Sequence, residues 1–121
     1  MKRALIATRD ASFKDKMSEH LNGRGYQTMF VDNCKDAFIK LIDNSYDFVV
    51  FDPNLKAMNG LDTLEIIEKI LPEIPIVICS DKMSYEMGLA IAKIGVYFSM
   101  SKSLDERITK ELFESLEKRF E

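Results

Sequence analysis

Cysteine is scarce. The 121-residue chain holds two, Cys34 and Cys79, both in apolar contexts. Two cysteines make no disulfide framework, which points to a reducing cytoplasm. Histidine is scarcer: His20 stands alone, with no partner at metal-ligand spacing. No Pro-, Gly- or Ser-rich linker, internal repeat or low-complexity tract interrupts the chain. No apolar stretch approaches a membrane helix, and the run behind the basic Met1-Lys2-Arg3 is too short for a signal-peptide core. An excess of positive charge is also missing. Lys and Arg number 17 against 20 Asp and Glu, a formal net charge of −3. That sign argues against a general nucleic-acid binder.

What is present is an ordinary globular composition, 46% hydrophobic and 31% charged. The length predicts a single domain, residues 1–121, that buries roughly two-thirds of its unfolded surface.

Periodicity then supplies the elements. Arg3 to Thr8 reads as a buried strand around Leu5-Ile6. Ser12, or Asp10 ahead of it, is placed to cap a helix carrying Phe13, Met17 and Leu21, stopped by Asn22-Gly23-Arg24-Gly25. Tyr26 to Val31 is a β-branched and aromatic strand. Asp32-Asn33 opens a second helix with a stripe of Cys34, Ala37, Phe38, Leu41 and Ile42. Phe48-Val49-Val50-Phe51 is apolar without alternation, as in a central strand covered on both faces. A third helix carries Leu64, Ile67, Ile70 and Leu71, and Ile76 to Cys79 form the core of a fourth strand. A fourth helix follows with Met83, Met87, Ala90, Ile91 and Ile94, stopped at Gly95. Val96 to Ser101 is a fifth strand. Ser103-Leu104-Asp105-Glu106 reads as a capping box. It opens a last helix with Ile108, Leu112, Leu116 and Phe120 inward and Glu106/Lys110 and Glu114/Lys118 pairs outward.

Strands alternating with helices predict an α/β fold with a parallel sheet covered on both faces. Sites in such folds lie at the carboxyl ends of the strands. The strand ends are Thr8-Arg9-Asp10, Asp52, Ser80-Asp81 and Ser101-Lys102. A carboxylate, a hydroxyl and an ammonium therefore meet on one edge. Asp52 is placed as a nucleophile toward phosphorus, with Lys102 to neutralise a phosphoryl oxygen and Ser80 to hydrogen-bond another.

These residues, with Tyr46-Asp47 ahead of the central strand, Met58-Asn59-Gly60 in the next loop and Pro75 ahead of the fourth strand, carry a family likeness. Along its whole length the chain resembles the receiver domain of two-component response regulators. The resemblance implies a flavodoxin-like doubly wound sheet of order 2-1-3-4-5 with five helices. It implies that Asp52 takes a phosphoryl group from a sensor histidine kinase and that Ser80 and Lys102 hold it. It implies Mg²⁺ bound by Asp10, Asp52 and the backbone carbonyl of Asn54. It also implies that the face of helix four, strand five and helix five meets an output protein or a second copy. Tyr85, Tyr97 and Phe98 are the candidates on that face.

The departures are specific. Receivers carry two adjacent acids after strand one, and those places hold Thr8 and Arg9. A unit charge about 4 Å away is worth about 4 kcal/mol at an effective dielectric near 20, so a guanidinium there opposes Mg²⁺ strongly. Lys56 stands where the family has proline, Ser103 follows Lys102 where it has proline, and Ser99 occupies the aromatic switch place. The expectation is that Arg9 bridges to Asp52 in place of the metal, leaving a pseudo-receiver that acts by binding a partner. The competing reading keeps Asp52 phosphorylatable with Asp10 as a metal ligand. A flavin-binding protein shares the strand order, but residues 8–13 hold no glycine for a phosphate loop. No Gly-x-Ser-x-Gly motif and no Cys/His or Ser/His pair appears, so the domain is not expected to be an enzyme.

Overall fold

The structure, a computed structural model, describes residues 2–43, 45–55 and 60–120. Lys56 and Met58-Asn59 lie outside the described residues. Ten elements alternate: β1 (Lys2–Ala7), α1 (Ala11–Gly23), β2 (Tyr26–Val31), α2 (Cys34–Asp43), β3 (Phe48–Phe51), α3 (Gly60–Ile70), β4 (Ile76–Cys79), α4 (Tyr85–Ile94), β5 (Phe98–Met100) and α5 (Glu106–Arg119). All strand pairs are parallel, in the order β2-β1-β3-β4-β5.

Strand alternation divides the core between the two faces of the sheet. Ala4, Ile6, Phe48, Val50, Val77, Cys79 and Met100 pack with α1 and α5. Leu5, Ala7, Val49, Phe51, Ile76 and Ile78 pack with α2, α3 and α4. Every residue of β3 and β4 is buried, as an unalternating apolar run requires. Full burial of such side chains is worth about 1.5–3 kcal/mol each.

The helix stripes are narrower than the sequence predicts. On α2, Cys34, Ala37 and Leu41 are buried, but Ile42 is 48% exposed. On α3, Leu64 and Ile67 are buried, while Ile70 is 52% exposed. A helix on an open sheet touches it along one arc, and both residues fall beyond that arc. On α5 the arc is wider, because Thr109 and Phe113 join Leu112 and Leu116 inside.

One local expectation is narrowed and two are corrected. Of Asp10 and Ser12, Asp10 caps α1, its carboxylate accepting from the Phe13 N–H at 3.1 Å. Asp105, not Ser103, caps α5, accepting from the Arg107 and Ile108 N–H groups at 2.9 and 3.2 Å. A charged acceptor suits the positive end of a helix better than a hydroxyl does, and Ser103 is occupied with Ser101 at 2.6 Å. Leu104, just before that cap, takes φ 54° and is buried against the core, which offsets the ~1–2 kcal/mol of a left-handed leucine. Within α5, the ion pair that forms among the described residues is Lys110–Glu114 at 3.8 Å, not the two expected pairs, and Glu117 pairs with Arg24 at 3.1 Å. Gly95, at φ 89°, ends α4 as predicted.

Candidate functional site

The register decides what meets at the carboxyl edge. Ala7 pairs with Phe51, Phe51 with Ile78, and Cys79 with Met100. The ladder runs one step further: the Asp52 N–H donates to the Ala7 carbonyl at 2.9 Å and the Ser80 N–H to the Met100 carbonyl at 3.1 Å. Thr8, Asp52, Ser80 and Lys102 thus emerge side by side.

Asp52 is buried, and its carboxylate is held on both oxygens. Oδ2 lies 2.8 Å from the Lys102 ammonium and accepts from the Thr8 hydroxyl at 3.2 Å. Oδ1 accepts from the backbone N–H of Asn54 at 3.0 Å. The Lys102 ammonium also reaches Asp10 Oδ2 at 3.4 Å. Ser80, buried as well, joins at one remove. Its Oγ accepts from the Asn54 side-chain amide at 3.2 Å and from the Lys82 N–H at 3.2 Å. The network therefore gathers Thr8, Asp10, Asp52, Asn54, Ser80 and Lys102.

The charges follow this geometry. Burial works against the Lys102 ammonium, but the hydrogen bond and charge of Asp52, with those of Asp10, outweigh it and raise its pKa. The Phe13 N–H holds the Asp10 carboxyl below its ordinary value against a desolvation penalty, helped by Lys102. Burial, with the Asp52 charge behind it, pushes the Cys79 thiol up to about 12, and burial also raises Cys34. Both sulfurs are core groups rather than nucleophiles.

Arg9 does not bridge to Asp52. It is exposed, and among the described residues it forms no ion pair. The reason is alternation along an extended chain. Ile6 packs on the α1–α5 face and Thr8 points at Asp52; Leu5 and Ala7 pack on the opposite face, and Arg9 follows them. It lines a cleft with Asp32 and Asp36 instead. The cation on Asp52 is Lys102. Counting strand parity from Ile6 is the signal that predicts this. A second contribution had no sequence signal: Asp81 Oδ1 accepts from the Lys102 N–H at 2.9 Å and fixes the loop that carries the lysine.

The metal donors are likewise committed. Asp10 gives one oxygen to the α1 cap and the other to Lys102, and the Thr8 hydroxyl donates to Asp52. Among the described residues, no group of three or more His, Cys, Asp or Glu side chains is placed to hold a metal ion.

On the opposite face, Tyr85 of α4 is 81% exposed. Tyr97 and Phe98 are half-buried and pack against the α1–α5 core, so they do not stand out as a surface. The Tyr97 hydroxyl is tied to Ser115 of α5, and Arg119 lies over its ring at 5.7 Å. Ser99, at the place of the switch aromatic, is exposed. Among the described residues, no helix is long and apolar enough to cross a membrane.

Known proteins give this edge its context. The family model of the response regulator receiver domain matches residues 4–114. The transcriptional regulatory protein ZraR of Salmonella typhimurium is 30% identical over 113 residues, 93% of this chain and 26% of that protein. The DNA-binding transcriptional regulator NtrC of Rhizobium meliloti is 24% identical over 101 residues, 84% of this chain and 21% of that protein. The chain thus spans about a quarter of the length of these curated relatives. A receiver domain protein of Methanospirillum hungatei superposes with a TM-score of 0.87 at 22% identity, covering 98% of this chain and 95% of that one. A response regulator of Thermotoga maritima, solved in complex with Mg²⁺ and BeF, superposes with a TM-score of 0.83 at 23% identity, covering 96% and 99%. Strand order, the Asp52–Lys102 pair and the family match over residues 4–114 agree: the chain belongs to the receiver domain family of two-component response regulators.

Proposed function

We propose that this receiver is degenerate in Mg²⁺-dependent phosphorylation and acts as a binding module, not an enzyme. The observation that carries the reading is the Thr8 hydroxyl, 3.2 Å from Asp52 Oδ2, where a typical receiver has the first of two acids. A hydroxyl that donates to Asp52 brings no negative charge to a hard dication. The second acid place holds Arg9, which turns away and brings none either. Asp52 and Asp10 remain, both engaged by one ammonium. This donor set does not fit Mg²⁺. Lys102 and Thr8 instead satisfy Asp52 without a metal.

Its partners on this reading are those of the family, a sensor histidine kinase or an output protein. The exposed α4 face around Tyr85 and Leu89 is the candidate docking or homodimer surface, and the net charge of −3 argues against nucleic acid as the partner of this domain. The test is exposure to acetyl phosphate or beryllofluoride, with and without Mg²⁺, read by intact mass and amide shifts. The native chain gains no adduct, and Thr8→Asp/Arg9→Asp gains one. A Mg²⁺-dependent adduct on the native chain, absent from Asp52→Asn, would overturn the reading.

A further inference from the structure

Arg9 turns from Asp52 into a cleft of about 660 Å³ over the carboxyl ends of β1 and β2, between α1 and α2. That volume lies within the range of small-ligand sites. The cleft carries acids and bases in equal number, Asp10, Asp32 and Asp36 beside Arg9, Lys14 and Lys40, but they are not equally tied. Asp32 and Asp36 are both held by the Asn33 side-chain amide, at 2.9 and 2.8 Å. Arg9 and Lys14 have no carboxylate within ion-pair distance among the described residues. The Lys14 ammonium lies instead over the ring of Phe30, at 5.2 Å. Phe30 is 42% exposed, and Ile39 on the α2 side is 43% exposed. The cleft therefore offers two cations without a direct ion pair among the described residues, a half-exposed aromatic ring that Lys14 covers and can uncover, an aliphatic neighbour, and carboxylates with lone pairs still free to accept.

We propose that this cleft binds a purine nucleotide. Arg9 and Lys14 take the phosphate, the guanidinium as a two-pronged donor and the ammonium as a point charge. As Lys14 swings from the Phe30 ring to the phosphate, Phe30 and Ile39 take the flat face of the base. Asp32 and Asp36 accept from its N–H groups. The phosphate is held by side chains, so no glycine-rich loop is needed. Two lining residues also reach the phosphoacceptor pocket: Thr8 donates to Asp52 and Asp10 meets Lys102. A ligand in the cleft thus touches the groups that hold Asp52. The cleft is distinct from Asp52 itself, so the inference goes beyond the proposed function and stands or falls apart from it.

The test is titration of the full chain with AMP, GMP, guanosine and inorganic phosphate, followed by amide shifts and calorimetry. The expected result is saturable shifts at Arg9, Lys14, Phe30 and Asp36 with a nucleotide. Binding weakens at least tenfold in Arg9→Ala and in Phe30→Ala, whose unchanged amide dispersion would show that the fold is kept. Three results would overturn the proposal: no saturable shift with either nucleotide, inorganic phosphate binding as tightly as the nucleotides, or affinity unchanged in Arg9→Ala.

Discussion

The Lys102 ammonium stands 2.8 Å from Asp52 Oδ2 and so supplies the positive charge that the buried carboxylate requires. Its second contact, Asp10 at 3.4 Å, ties the pair to the first turn of α1.

Lys102→Met should leave Asp52 buried with only the Thr8 hydroxyl and the Asn54 N–H as partners. Removing one member of a buried pair costs about 3–5 kcal/mol, and the partial exposure of Lys102 places this variant near the low end. Guanidinium unfolding at neutral pH measures it. A loss below about 1 kcal/mol would mean that Asp52 does not depend on the lysine.

Arg9→Ala should change stability by less than about 0.5 kcal/mol, because Arg9 is exposed and unpaired among the described residues. The same unfolding experiment checks it. A loss as large as that of Lys102→Met would return the guanidinium to the Asp52 pocket.

The pH dependence has two limbs. The Asp10 carboxyl is lowered from 3.8, so its contribution is complete above that value and is lost as pH falls through the lower folded one. The Lys102 ammonium is raised from 10.5, so its contribution is complete below that value and is lost as pH rises through the higher folded one. Asp10→Asn keeps an N-cap acceptor and should flatten the acid limb. Lys102→Met should flatten the alkaline limb. Unfolding midpoints across the pH range test both, and an unchanged acid limb in Asp10→Asn would contradict the assignment.

The sheet was legible because its signals are local. Phe48 to Phe51 carry no polar residue, and a strand without alternation has to be covered on both faces. Asp52 and Ser80 could be placed because each directly follows such a strand, and Lys102 because it lies just past the shorter β5. Ile42 and Ile70 misled because periodicity gives a stripe but not the width of the surface beneath it. Leu104 could not be foreseen, since a left-handed leucine depends on the burial it gains in the folded state. Arg9 was misplaced for a different reason. Charge alone draws a guanidinium to Asp52, but the backbone had already fixed its direction through Ile6 and Thr8. Direction outranks attraction when the alternative is to bury a second cation beside an ammonium already paired.

The central claim is that the donors around Asp52 no longer make a Mg²⁺ site, and a Mg²⁺ titration tests it most directly. Amide shifts of Thr8, Asp52 and Asn54 would be followed in the native chain and in Thr8→Asp/Arg9→Asp. The account predicts that the double variant binds at least about tenfold more tightly than the native chain, since a carboxylate replaces the hydroxyl beside Asp52 and a nearby cation gives way to an anion. Saturable binding by the native chain with an affinity equal to that of the double variant would contradict it.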